Sequence, residues 1–327
     1  MLKKHFVFIH ILVMSFVVLT GCNSFEKGEI QKVGMLVENS VSDQTWGNKG
    51  YKGLVEIKEE YNVDVYFKEE MKTQQDVNRA VEEFSAKGIN LIFGHSSIYG
   101  KMFDNISDSY PDIHFVYFNG GYYNNDNLTS LNFNSHAMGF FAGMIAGEMT
   151  KTNKVGLIAA FEWQPEVEGF YEGVYYQNRE ASVSMDFVNS WDNEERAIQL
   201  FDRMNAQEVD VFYPAGDAFS FAVLEEVNKN DKYGIGFVTD QSHLGDHVLT
   251  STIQQVNELY LLAADKFNNE KLKGGYYTFD FQEGVITLGE FSPEVPNSFE
   301  SKVNKDLESY IETGLLPNEL GDLPNDL

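Results

Sequence analysis

From Lys32 onward, short β-branched or apolar runs alternate with longer stretches whose apolar residues recur at three- and four-residue spacing. That alternation predicts βαβ units and a parallel sheet. Strands are expected near Val33–Val37, Val63–Phe67, Leu91–Phe93, His114–Phe118 and Leu128–Phe133, with helices in the gaps. The spacing of Val77, Ala80, Val81 and Phe84 predicts a helix over Thr73–Lys87 with one face on a sheet. Thr73-x-x-Asp76 suits its start, and Gly88 its end, where left-handed backbone costs glycine least.

The pattern repeats after Ser135. A helix through Thr150 carries Gly139, Ala142, Gly143, Ala146 and Gly147, small residues suited to close packing. Strands follow at Val155–Ala159, Val183–Val188, Val209–Tyr213, Ile235–Val238 and Val248–Ile253, separated by helices near Glu166–Gln177, Glu194–Asn205 and Phe221–Asn230. The closing elements are a helix over Val256–Asn268, a β-pair of Tyr277–Phe281 with Val285–Leu288, and a helix over Ser298–Thr313. The expectation is two similar α/β lobes: 32–134 with roughly 254–290, and 135–253 with a C-terminal helix in 291–327. A chain of 327 residues is too long for one small core and suits two.

The start of the chain adds an address. Lys3 and Lys4 precede an apolar run from Phe6 to Leu19, which closes on Leu19-Thr20-Gly21-Cys22. The run is shorter than the roughly 20 apolar residues a membrane span needs, so it reads as an export signal. It resembles a bacterial lipobox, in which the cysteine receives a diacylglycerol. Residues 1–21 are then a signal peptide, Cys22 the lipidation site, and 22–31 a tether at the extracytoplasmic face of the cell membrane. Cys22 is the only cysteine, so no disulfide within the chain is available. The formal charge of −26, about −28 without the two signal lysines, repels a phosphate backbone, and no direct nucleic-acid binding is expected.

In open α/β sheets ligands bind at the carboxyl ends of the strands. The loops there are Glu38–Trp46, Gly94–Tyr99, Asn119–Tyr123, Phe161–Pro165, Asn189–Asp192, Ala215–Phe219 and Asp240–Leu244. None carries a Gly-x-Ser-x-Gly elbow or a P-loop, and no nucleophile–base set stands out, so an enzyme is not expected. No cofactor is implied. His243 and His247 are four apart, but they span a Leu-Gly-Asp loop and two imidazoles do not make a closed metal site. His95, in Gly94-His95-Ser96-Ser97, stands where a ligand contact could lie.

Several of these segments match one pattern in register. Ser42-Asp43-Gln44-Thr45-Trp46-Gly47-Asn48 with Gly50-Tyr51-x-Gly53 resembles the Asp-x-Ser-Phe-Asn-Gln…Gly stretch of the basic membrane protein family of lipoproteins. Tyr110-Pro111-Asp112, Asn127-Leu128-Thr129-Ser130, His136-Ala137-Met138-Gly139-Phe140-Phe141-Ala142-Gly143, Ser190-Trp191-Asp192, Val211-Phe212-Tyr213-Pro214-Ala215-Gly216 and Thr239-Asp240-Gln241 agree in order. The run Trp163-Gln164-Pro165-Glu166-Val167 is shared with the Med-type branch, whose members are described as positive regulators of competence.

The resemblance implies a type I periplasmic-binding-protein fold, two Rossmann-like lobes with parallel sheets joined by a hinge. It implies a substrate-binding subunit that delivers a purine nucleoside to an ABC permease, with a Med-like regulatory role as the alternative. By resemblance Trp46 stacks on the base, Trp191 is its partner from the other lobe, and Asp240 takes a sugar hydroxyl. Asp43, Asn48, His95, Ser96, Asn134, Gly216, Asp217 and Gln254 complete the candidate set. The chain departs from the pattern at Gly47, where Asn is usual, at His136, where an acid is common, and at Thr252-Ile253-Gln254-Gln255, where nucleoside binders tend to offer Lys.

Overall fold

The structure is a computed structural model that describes residues 28–42, 45–121 and 123–320. Cys22, the signal, the first part of the tether and Asp43 lie outside the described residues.

The first sheet is built from β1 (Lys32–Leu36), β2 (Asp64–Lys68), β3 (Leu91–Gly94), β4 (His114–Phe118) and β5 (Leu128–Phe133), with β11 (Gly275–Phe279) joining late in the chain. Its order is β11-β5-β4-β3-β1-β2, parallel throughout. The second sheet holds β6 (Lys154–Ala159), β7 (Ser182–Phe187), β8 (Val211–Ala215), β9 (Tyr233–Val238), β10 (Val248–Gln254) and β12 (Ile286–Leu288). Its order is β12-β10-β9-β8-β6-β7, parallel except for β12 against β10. β3, β4, β5 and β8 are buried along their whole length, as strands covered on both faces must be, whereas the edge strands β2 and β7 are half exposed.

Helices α1 (Thr45–Tyr61), α2 (Gln74–Ala86) and α3 (Ile98–Asp104) connect the first sheet; α4 (His136–Met149), α5 (Pro165–Gln177), α6 (Glu194–Asn205) and α7 (Phe219–Lys229) serve the second. α8 (Val256–Asn268) returns to pack on α1, and α9 (Asn297–Thr313) lies against α4. α2 buries Val77, Ala80, Val81 and Phe84, and the Thr73 hydroxyl accepts the Asp76 N–H, so the expected face and cap are both present. Gly88, at φ +76, ends it.

The closing β-pair is not what the chain forms. β11 runs parallel to β5 in the first sheet, and β12 runs antiparallel to β10 in the second. Residues 286–288 therefore belong with the second sheet, not with the 254–290 segment assigned to lobe 1. The short Asp280–Val285 connection reads as a hairpin turn because it joins two nearby apolar runs. In the fold Asp280 accepts from Gln282 N–H at 2.8 Å and from the Tyr310 hydroxyl at 2.5 Å, and the pairing of β11 with β5 and of β12 with β10 carries the chain across rather than back. The chain also crosses at Asn134–Ser135 and at Gln254–Gln255, and these crossings lie side by side: Asn134 N–H donates to Phe279 O and Gln255 N–H to Val285 O. Among the described residues no helix is long and apolar enough to cross a membrane.

Candidate functional site

The carboxyl ends of both sheets open onto one cavity of about 880 Å³. Trp46 enters it from the first sheet's side, at the first turn of α1. One indole face stacks on the His95 imidazole, at 4.9 Å between centroids and 16° between planes, and Phe118 and Phe133 meet its edges. His95 is 3% exposed. Its Nε2 lies 2.7 Å from Trp46 O, a carbonyl that only accepts, so the proton sits on Nε2 and Nδ1 accepts from the Tyr260 hydroxyl at 3.0 Å. The indole N–H returns a bond to His95 O at 3.3 Å. Gly50 makes this docking possible, because any Cβ there would meet the imidazole ring.

Facing it, the second lobe offers an aromatic group. Phe161 and Trp163 stack at 5.3 Å, and Trp191 meets Phe161 edge-on at 5.3 Å and Trp163 at 6.1 Å. Trp163 is 64% exposed and Trp191 39%, much for rings of this size. Below them Gln164 fixes the loop: its Oε1 accepts Phe161 N–H at 2.7 Å, and its Nε2 donates to Glu166 Oε1 at 2.6 Å and to Ala215 O at 3.2 Å. Asp217, at the start of α7, reaches across the cleft and accepts Trp46 N–H at 3.2 Å. The two lobes are thus tied through backbone and carboxylate.

Asn119 after β4 and Asn189 after β7 both adopt left-handed backbone, at φ 53 and 59, which Asn tolerates better than other side chains. They turn the chain over the rim, one in each half.

Of the sequence candidates, Trp46, His95, Ser96, Trp191, Asp217 and Gln254 line this cavity together, and Gln254 Nε2 donates to Ser135 Oγ at its floor. Asn48, Asn134, Gly216 and Asp240 do not line it. Asn134 is a hinge residue, donating to Asp280 Oδ2 at 3.4 Å, and Gly216 lies against the Phe219 ring. The Asp240 oxygens accept Ser242 N–H at 3.0 Å and Glu290 N–H at 3.2 Å, so this carboxylate fastens a loop of the second lobe where a sugar contact was expected. Sequence reasoning did not place Phe161, Trp163, Gln164, Glu166 or Tyr276 in the site. The Trp163–Val167 run was visible, but nothing in a single chain says which side of a loop an indole takes.

Burial drives the electrostatics. The loss of water pulls His95 down to about 4, against the bond to Trp46 O, and pulls His114 on β4 down to about 4 as well. Burial pushes Glu166 up to about 7, and it pushes Asp217 up to about 6 with Asp192 adding repulsion. The two imidazoles stay neutral in the fold, so the stability they contribute is present above 6.5 and is lost as pH falls towards 4. The two acids act oppositely: their contribution is complete at low pH and is lost as pH rises through about 6 and 7. Glu166→Gln removes one opposing contribution. Its unfolding free energy should fall more steeply than the parent's between pH 7 and 5, by on the order of 1 kcal/mol per pH unit. Urea melts across that range check this, and parallel curves would contradict it.

Comparison with known proteins agrees with the geometry. Over 311 residues the chain is 45% identical to the transcriptional activator protein Med of Bacillus subtilis, covering 94% of this chain and 98% of that one. A crystal structure described as a transcriptional activator of the comK gene from Bacillus halodurans superposes with a TM-score of 0.83 at 43% identity, covering 88% of this chain and 99% of that one. The ABC transporter nucleoside-binding protein BmpA of Lactococcus lactis is 24% identical over 85% of this chain and 89% of its own. Residues 30–319 match the Bmp family as a whole, described as PnrA-like ABC transporter substrate-binding proteins. Two parallel-rich sheets, a three-strand crossing and one inter-lobe cavity are the architecture of such a solute-binding protein, and the chain belongs to the Bmp family.

Proposed function

We propose that the protein is a lipid-anchored extracytoplasmic receptor that closes its lobes on a flat polar solute, a purine nucleoside by first choice, and presents it to an ABC permease. The observation that carries this reading is the shared cavity with Trp46 on one side and Phe161, Trp163 and Trp191 on the other. A base held against an indole gains about 1–3 kcal/mol per stacking contact. Ser96, Asn119, Asn132 and Gln254 supply hydrogen-bonding groups around that apolar slot. The nucleoside-binding relative supports the choice of solute, and the Leu19–Cys22 run supports the anchor.

A ligand that binds only the folded protein stabilises it by about 2.7 kcal/mol at a hundredfold excess over Kd. Purified residues 23–327 should therefore melt at higher temperature with adenosine, guanosine or inosine. No shift with any of the three at millimolar concentration would remove this choice of solute.

The 45% identical relative, named a transcriptional activator, favours a second reading in which the same closure serves regulation. The charge of −26 opposes direct contact with DNA, so regulation would run through a partner at the membrane or a form that escapes export. Labelling with a palmitate analogue followed by fractionation separates the two. An unlabelled cytosolic pool that shifts a promoter fragment would favour the regulator; a fully labelled membrane pool favours the receptor.

A further inference from the structure

We infer that the solute taken by this cleft carries a positive charge: a cationic flat heterocycle of nucleoside size is selected over its neutral or phosphorylated counterparts. This deepens the receptor reading and rests on it.

The charge inventory of the cavity is one-sided. Glu38 and Glu166, Asp192 and Asp217 line it, and among the described residues no Lys or Arg does. The carboxylates come from both lobes, Glu38 from the end of β1 and the other three from loops and the first helical turn of the second sheet. His95 brings no compensating charge, since burial keeps it neutral. Lys49, on α1 near the hinge, directs its Nζ to the Gln254 carbonyl at 2.7 Å.

Helix N-termini often favour anions at such clefts, but two of those here, at the starts of α1 and α5, already hold protein carboxylates. Asp217 accepts the Trp46 N–H at the start of α1, and Glu166 sits in the first turn of α5. An added phosphate would meet these acids without an opposing cation. The aromatic wall points the same way, because the face of an indole attracts a cation, and Trp is the best ring for it. Trp163 and Trp191 expose rings beside Asp192, so one positive group could sit over a ring face and near a carboxylate together. Burial pushes the carboxyls of Glu166 and Asp217 above their usual range, and a positive group brought beside them would favour their ionised forms.

The test is calorimetric titration of the purified lipid-free protein at pH 7.5 with adenosine, 1-methyladenosine, which is cationic at neutral pH, and adenosine 5′-monophosphate. The expected result is 1-methyladenosine at least about tenfold tighter than adenosine, with the monophosphate weakest. The Glu38→Gln/Asp192→Asn double variant, altered only at non-buried side chains, should keep the parent's melting temperature and lose most of that tenfold preference. Glu166→Gln should lower it too. Adenosine binding as tightly as 1-methyladenosine, or a preference that survives in both variants, would overturn the charge selection and leave the receptor reading intact. If none of the three binds the parent, the nucleoside reading falls and this inference with it.

Discussion

Trp191→Ala is expected to weaken solute capture at least tenfold while moving the melting temperature by no more than about 2 °C. Trp46→Ala should lose both. The contrast follows from where each ring is anchored. Trp191 is 39% exposed, its ring meets Phe161 and Trp163 of its own loop group, and it is not part of the buried core, so its removal takes a stacking surface from the ligand and little from the core. Trp46 is half-buried and packs on His95, Phe118 and Phe133, and its indole N–H bonds to His95 O. Truncating a fully buried aromatic costs about 3–5 kcal/mol, and a half-buried one costs roughly half as much. For a chain of this length that lowers the melting temperature by about 3–4 °C. The backbone bond from Trp46 N–H to Asp217 survives in the alanine variant, so lost capture would report the ring itself. Thermal melts with titrations on both variants check this; equal affinity in parent and Trp191→Ala would contradict the assignment of that ring to the site.

Gly173→Ala should be among the most damaging single substitutions in the chain, with a loss of about 3–5 kcal/mol. On propensity alone, alanine would improve the helix by up to about 1 kcal/mol. Packing reverses that sign. α4 and α5 touch backbone to backbone, and a Cβ at Gly173 would sit well inside contact distance of Phe140 O, as would one at Gly143 of Phe170 O. The Phe140 carbonyl cannot move without breaking a buried helix, since α4 is buried from Ala137 to Gly147. The same contact holds the start of α5, and with it Glu166, at the cleft. Gly88→Ala makes the control. Gly88 has φ +76 but nothing within 4 Å of a new Cβ, so only backbone strain of about 1 kcal/mol is added. Urea denaturation should separate the two variants by at least about 2 kcal/mol, and similar midpoints would show that α4 and α5 can spread apart.

Much of this fold could be read from the chain because burial writes itself as periodicity. Val77, Ala80, Val81 and Phe84 mark the face of α2, and the glycines of α4 mark a helix that another helix must approach closely. The sheet assignment of the last strands could not be read that way. β11 and β12 are short and separated by a tight turn, and only long-range pairing with β5 and β10 decides that they part. The site was legible at the level of loops. Trp46, His95 and Trp191 lie at strand ends, where open sheets bind ligands, and they do line the cavity. Asp240 occupies the same kind of loop but is turned to the N–H groups of Ser242 and Glu290, a choice set by the later arrival of the β12 segment. Trp163 was one more aromatic in a loop until its stacking on Phe161 placed it beside Trp191.

The central claim is that rings from opposite lobes grip one flat solute, and a loading experiment tests it most directly. Parent, Trp46→Ala and Trp191→Ala are incubated with an equimolar mixture of neutral and methylated purine nucleosides, desalted and denatured, and the released compounds are quantified by mass spectrometry. A two-lobed receptor predicts close to one equivalent of a single nucleoside from the parent and at least tenfold less from each variant. Equal release from all three proteins, or none from the parent, would contradict it.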